Sequence, residues 1–585
     1  MTKPIRIANC SGFFGDRLSA AKEMVEGGPI DVLTGDWLAE LTMLILARTR
    51  MKRPGAGYAR TFVTEMEEVM GSCLDKGIRV VSNAGGLDPD RCAEAVAEVA
   101  EKLGLHPKIA YVRGDDLMPN IDEFLSGDQL HHFETGEPIK DPSRFMTANA
   151  YLGCWGIVDA LERGADIVIT GRVTDAAVVC GPAAWHHGWK RDDWNQLAGA
   201  VVAGHVIECG TQATGGNYSF FEEVPGMERT GFPWAEVAED GSCVIGKHDN
   251  TGGEVSIGTI TSQLLYEIGG VEYFGPDVTT RFDTIQIETQ GPDRVRLHGT
   301  QGEPPPDTLK VCMNRSGGFR NDMRVCLTGL DIEAKAALIE KAFWVACPYD
   351  PADYQQVTTR IIRTDKDDPE SNEEAVAFLH IAVKDPDEKK VGRAFANAMT
   401  ELALSTIPGF FGVGGGPAAG RPFGIYEPAR IPASAVQQEI IFIDGDTKEI
   451  DSVIPGGDVT VVPALGPATA VPGGGMKRIP IGRIIGARSG DKGGNANLGV
   501  FARSDEAWAW LDHFLTTERL QSLLPEVAQF EVDRTRLPAL RSLNFVIHGI
   551  LEEGVAAATR QDGQAKSLGE WLRARVVDVP ESLLS

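Results

Sequence analysis

The sequence predicts an α/β fold: a parallel sheet with helices on both faces in the large N-terminal region, followed by a small α+β domain. Three observations predict it. Short β-branched runs alternate with longer helical patterns over the first two hundred residues. Each run ends in a turn built from Gly, Asn or Asp. A Gly/Pro-rich stretch at 465–478 separates the last segment, 479–585, which has an ordinary domain size.

The elements follow in order. Ile5–Cys10 reads as a buried strand, with a helix from about Arg17. Asp31–Leu33 is a second strand, and Trp37–Arg48 has helical spacing through Leu38, Leu41, Leu44 and Ile45. Ile78–Ser82 is a third strand. After its turn, Asp88 stands as N-cap and Pro89 as first helical residue of a helix to about Leu103. Lys108–Val112 and Asp166–Thr170 supply a fourth and a fifth strand, and Val201–Cys209 reads as another. From there to 464 the pattern is less regular, and a division of the 1–464 region near 220 stays open. Phe282–Leu297 and Val357–Ile362 read as antiparallel strands, Ile332–Trp344 and Glu388–Leu404 as helices. After the linker come a strand–loop–strand unit at Ile479–Phe501, a helix at Glu506–Phe514, a strand at Leu543–Ile547 and a helical segment near Lys566–Arg575. In parallel sheets ligands bind outside the carboxyl ends of the strands, so the loops after them are where chemistry is sought.

Composition narrows the function. The 585 residues carry a formal charge of −27. That excludes duplex nucleic acid and an anionic membrane surface, both of which need basic footprints. No apolar run approaches the ~18–20 residues that span a bilayer, and the N-terminus lacks a signal-peptide stretch. The ten cysteines include no C-x-x-C pair, so they read as reduced thiols of a cytoplasmic protein. An anionic small molecule remains admissible, given a local pocket of Arg, Lys and backbone N–H groups. Glycine is in excess, 67 residues, and clustered where backbone turns tightly or approaches a ligand.

Four segments carry that chemistry. In Gly35–Glu40, Asp36 lies in a turn and Glu40 one helical turn later. The pair reads either as a general base with its partner or as an N-cap with a first-turn acid. In Thr170–Ala177, Arg172 is suited to a carboxylate or phosphate and Asp175 to orienting it; alternatively the two only fix the loop. In Gly204–Asn217, the loop of Thr211, Gln212, Thr214, Gly215, Gly216 and Asn217 presents donors for an oxyanion. As a strand, this segment puts His205 and Cys209 on one face and Glu208 on the other; as a helix, all three share a face and suit a metal ion. Glu208 is the first candidate for a general base and His205 the second. In Arg488–Asn497, Arg488, Lys492, Asn495 and Asn497 gather around glycines as an anion contact, with Asp491 as an internal partner for the cations.

On these four segments the chain resembles the AtuA family of acyclic terpene utilisation proteins, which carry an appended ferredoxin-like C-terminal domain. The resemblance runs from about Arg6 to Val577. It implies a place in the breakdown of citronellol- or geraniol-type branched acids as CoA thioesters, and it carries over no catalytic residues. The leading expectation is an enzyme of hydratase or lyase type on a branched acyl-CoA or its carboxylated derivative. The alternatives are a non-catalytic scaffold for carboxylase or lyase partners and a metal-dependent hydrolase or lyase outside CoA metabolism. No nucleotide-cofactor motif is present: Gly414–Ala419 fits G-x-G-x-x-A only formally, because Pro417 interrupts it. CoA enters only as part of the substrate, and no metal site is expected. A homo-oligomer is expected from tryptophans outside the core.

Overall fold

The structure, a computed structural model, describes residues 2–140, 145–413, 418–450 and 473–584. Gly414–Pro417 and most of the 465–478 linker lie outside the described residues. The chain divides into two compact units. The first comprises Met1–Asn314, Tyr426–Val555 and Gln564–Ser585; the second comprises Arg315–Ile425 and Ala556–Gly563.

The first unit is organised by a mixed sheet. Ile5–Asn9, Val32–Gly35, Arg79–Ser82, Ile167–Thr170 and Ile109–Arg113 pair side by side in that order, all parallel. Pro233–Val237 and Gln438–Phe442 flank the five, both antiparallel to them. Alternate strand residues enter two separate apolar clusters, as the period of two requires. Ile5, Ile7, Val32, Val81 and Val168 join one, with helices Trp155–Glu162, Ala177–His187 and Trp194–Ile207. Ala8, Leu33, Val80, Ile167 and Ile169 join the other, with helices Ala20–Gly27, Arg60–Lys76 and Pro89–Leu103.

Four local expectations are corrected. Val201–Cys209 is not a strand: Trp194–Ile207 is a helix with Glu208 at its C-cap, and every residue from Leu197 to Ile207 is buried. A helix enclosed on all sides has no polar stripe, so its sequence lacks the 3.6 period and mimics a buried strand. Gly199 and Gly204 allow the enclosure, since a Cβ would lie 2.0 Å from Gly241 O and 2.7 Å from Ala176 Cα respectively. Asp36 is not an N-cap: the next helix is Glu40–Lys52 with Ala39 at its cap. Asp88 precedes Pro89 as expected, but its Oδ2 accepts from the Gly57 amide at 2.6 Å instead of capping. Glu388–Leu404 is broken into short helical pieces, Lys390–Ala394, Phe395–Thr400 and Glu401–Leu404.

The C-terminal segment forms an antiparallel sheet of Ile485–Lys492, Asn495–Ala502, Ser542–Ile547 and Val532–Leu537. Met476–Pro480, the end of the expected linker, instead pairs with Val576–Pro580 and closes the segment on itself. In the second unit, Gln356–Ile362, Val376–Asp385 and residues 319–328 of the strand Thr308–Thr328 form an antiparallel sheet. One face of it packs on helices Ile332–Ala346 and Phe395–Thr400. Among the described residues no helix is long and apolar enough to cross a membrane.

Candidate active site

All five parallel strands of the first unit deliver polar residues at their carboxyl ends. Asn9, the last residue of its strand, donates to the carbonyls of Ile207 and Glu208 and so ties down the end of the enclosed helix. Val32–Gly35 leads to Asp36, and Arg79–Ser82 leads to Asn83, whose amide donates to Asp36 Oδ1. Ile109–Arg113 leads to Asp115, and Ile167–Thr170 to Arg172. Asp115 Oδ2 accepts from the Arg172 amide at 2.9 Å and from Asn149 Nδ2 at 2.8 Å. Gly171 must stay small there, because a Cβ would lie 2.5 Å from Asp115 Oδ1.

Arg172 is the hub. Its guanidinium is almost fully buried, donates to Asp175 Oδ1 at 2.9 Å and to the Leu38 carbonyl at 3.1 Å, and lies 4.1 Å over the Tyr151 ring. Tyr151 donates to Glu40 Oε1 at 2.8 Å, and Lys310 Nζ stands 3.4 Å from the same oxygen. Burial works to raise the Glu40 carboxyl, but Lys310 and Arg172 outweigh it and bring it down to about 2. Glu40 and Lys310 keep 33% and 36% of their side-chain surface accessible.

The other carboxyls behave oppositely. Burial pushes Asp36 well up, reinforced by Asp175 and relieved in part by Arg172 and Asn83. Burial also pushes Glu208 well up, reinforced by Asp175 and Glu267. Asp175 is raised by burial against the pull of Arg172. His205 Nδ1 lies 3.1 Å from Glu208 Oε1, while Glu208 Oε2 has no hydrogen-bond partner. Burial lowers His205 to about 4, so the imidazole is neutral near pH 7. Its ring packs against Tyr273 and Phe282 at centroid distances of 5.4 and 5.5 Å. Helical spacing therefore puts His205 and Glu208 together, where a strand would have parted them.

The C-terminal segment closes on the same cluster. Arg488 donates to Gln212 Oε1 and lies 4.2 Å over the Tyr266 ring. Lys492 Nζ donates to the Glu267 carbonyl at 3.0 Å, and the Glu267 amide donates to Asn497 Oδ1 at 2.8 Å. Glu267 is held at φ +60°, a left-handed conformation that disfavours a side chain. Burial, with Asp491, raises the Glu267 carboxyl to about 7. Burial, with Lys310, lowers Lys492 to about 8.

Some expected donors are spent on the fold. Thr214 Oγ1 donates to the carbonyls of Thr211 and Gly231. The amides of Gly215 and Gly216 donate to the carbonyls of Gln212 and Thr211. Asn217 sits at φ +60° as a turn residue. This loop therefore is not an open row of donors; Gln212 is the member that reaches across, to Arg488. Asn495 binds Glu134 and the Gly549 amide, and Asn497 binds Asn544 and Glu267, so both are braces. Sequence reasoning missed Tyr151, Lys310, Tyr266, Glu267 and Lys566, whose ammonium binds the Tyr266 hydroxyl. Isolated tyrosines and lysines carry no spacing signal; the left-handed Glu267 beside Gly269-Gly270 was the nearest to one. Among the described residues no group of three or more His, Cys, Asp or Glu side chains is placed to hold a metal ion.

The fold and the cluster define an α/β protein with an enclosed carboxyl–arginine–lysine site at the carboxyl edge of its sheet, completed by an antiparallel C-terminal domain. A family model for the acyclic terpene utilisation family protein AtuA matches residues 5–442, and one for the AtuA ferredoxin-like domain matches residues 479–578. The chain belongs to the AtuA family. No curated protein and no solved structure gives a significant match to it.

Proposed function

We propose that the chain is an enzyme of acyclic terpene breakdown that moves a proton beside the thioester carbonyl of a branched acyl-CoA or its carboxylated derivative, by abstraction or by addition–elimination. One observation carries this reading: Asp36 and Glu208, both buried, and Asp175, paired with Arg172 at 2.9 Å, all feel the charge of the buried Arg172 guanidinium. Carboxyls pushed upward by burial and by one another hold their protons more readily than free carboxyls, which suits them to general acid–base work. Glu208 and Asp36 are the proton carriers. Glu40, ionised and bound to Lys310 and Tyr151, is an anchor and not a base. His205 is neutral and enclosed beside Glu208. Arg172, Lys310, Arg488 and Lys492 supply the positive field that an anionic substrate needs in a chain of charge −27.

The test is turnover of isohexenyl-glutaconyl-type CoA esters by the purified protein, followed by mass spectrometry. Asp36→Asn and Glu208→Gln should each lower kcat by about 10²–10⁴-fold while binding persists. Unchanged substrate across the series, with no CoA-ester binding by calorimetry, overturns the reading. A stable complex with carboxylase or lyase partners, fully active when it carries the double variant, favours a scaffold.

A further inference from the structure

Buried polar side chains are almost always paired, and two of the exceptions in the first unit are fastened to one residue, His205. The enclosed helix that carries His205 meets the helix Ile257–Leu264, whose residues from Thr259 to Leu264 are all buried. Gln263 of that helix is 1% exposed, and its Nε2 donates to the His205 carbonyl at 3.3 Å. A carbonyl accepts only from the nitrogen of an amide, so this bond fixes which way the side chain is turned. Its Oε1 is then committed to another direction, where it is buried with no hydrogen-bond partner. Glu208 Oε1 lies 3.1 Å from His205 Nδ1, and Glu208 Oε2 is likewise buried without a partner. Gln263 also stands beside Cys209, the residue after Glu208.

Glutamine is a costly choice inside an enclosed helix. It gives up rotamer freedom and buries an amide, where Leu or Met would pack without that penalty. The chemistry of the two oxygens says what meets them. An amide oxygen only accepts, whereas a carboxyl oxygen accepts or donates according to its charge. Water, with two hydrogens and two lone pairs, serves both in either state of Glu208. Gln263 and His205 are each 1% exposed and Glu208 5%, so a group held among them is small. A buried water makes about three hydrogen bonds, and these two oxygens supply two of them.

We propose that Glu208 and Gln263 hold a water molecule that is the second substrate of the site, so that its reaction is hydration of a carbon–carbon double bond or, in reverse, loss of water. With one hydrogen on each oxygen the water cannot turn, and its lone pairs face away from both. Glu208 gives its proton to one carbon of a double bond conjugated with the thioester, the water oxygen bonds to the other carbon, and a water proton returns to the Glu208 carboxylate. One C–H and one C–O bond form, the π bond and one O–H bond break, and Glu208 ends as it began. Gln263 touches the water alone and is a positioning residue. The inference rests on the acyl-CoA reading for the double bond, but not for the existence of the water site.

Two measurements on the full chain test it. A crystal structure that resolves solvent should show an ordered water within about 2.6–3.2 Å of both Glu208 Oε2 and Gln263 Oε1. Protein groups bonded to both oxygens, or no water shared by them, overturns the site, whatever any variant does. In ¹⁸O-labelled water, turnover of an isohexenyl-glutaconyl-type CoA ester should place the label in a product hydroxyl while CoA stays attached. Gln263→Met, of similar length and free of polar atoms that need a partner, should fold as the parent does. It should lower kcat about tenfold or more and leave the calorimetric Kd of the ester within about twofold, a split that a merely structural role would not produce. Unchanged kcat in that variant overturns the role given to the water. An ordered water with no turnover of any ester leaves the site standing and removes the catalytic reading. Turnover that puts no label in the product keeps the catalytic reading and overturns the hydration.

Discussion

Glu267 and Lys492 give the active-site reading a pH signature. Glu267 is raised by burial to about 7 and Lys492 is lowered by burial to about 8. Below pH 7 the carboxyl is neutral and the ammonium charged, so the pair presents one positive charge. Above pH 8 the carboxylate is charged and the amine neutral, so it presents one negative charge. An anionic substrate selects the protonated pair, and affinity therefore falls as pH rises through both values. If only that form binds, linkage gives almost no loss at pH 6 and roughly a thousandfold loss at pH 9, with one proton taken up between the two values and two beyond them. Calorimetry of a CoA ester across pH 6–9, in buffers of differing ionisation enthalpy, reads both affinity and proton uptake. Glu267→Gln should abolish the step near 7 and keep the one near 8. Lys492→Met should bind weakly and lose the step near 8. A flat profile in the parent, or an unaltered one in Glu267→Gln, refutes the placement of the anion at this pair.

Three further outcomes follow from the same coordinates. Glu65 is buried, 4.0 Å from Cys10 Sγ, and burial raises its carboxyl to about 8. A raised carboxyl keeps its proton only in the folded chain, so stability is intact below the unfolded value of 4.5 and falls as pH rises towards 8. At about 1.36 kcal/mol per unit, the penalty approaches a ceiling of roughly 4–5 kcal/mol, and Glu65→Gln should raise the urea midpoint at pH 8 but not at pH 4.5. Gly490→Ala would place a Cβ 2.3 Å from Tyr266 Cε2 and displace the ring under Arg488; turnover should fall while the C-terminal domain stays folded by circular dichroism. Arg172→Lys keeps a charge but loses the fork that holds both Leu38 and Asp175, so kcat/KM should fall at least tenfold and Asp175→Asn should add little to that loss.

Much of the first unit was legible because a parallel sheet writes short apolar strands between amphipathic helices. The turn residues after those strands are also where Asp36, Arg172 and their neighbours stand. The enclosed helix Trp194–Ile207 was not legible. Periodicity reports a contrast between a wet and a dry side, and this helix has no wet side. The reach of the C-terminal segment onto the site was legible as composition, since Arg488 and Lys492 stand out in an acidic chain. Which residues they meet was not, because Glu267 and Tyr266 lie more than two hundred positions away and only the tertiary fold brings them together.

That misread helix also changes the chemistry. As a strand, the segment would leave Glu208 alone on its face, an ordinary carboxylate beside a loop of donors. As a helix ending at Glu208, with Asn9 gripping the terminal carbonyls, it drives the carboxyl into the space already shared by Asp36 and Asp175. Burial and the neighbouring acids raise Asp36 and Glu208, while Asp175 is the one of the three that pairs directly with Arg172. An anionic guest would add to that effect and hold the protons of Asp36 and Glu208 more firmly. On the proposed reading, the site acts as a proton donor when its substrate arrives and becomes a base only after giving one up. Addition to a double bond conjugated with the thioester, begun by protonation, fits that order better than abstraction by a carboxylate ionised in advance.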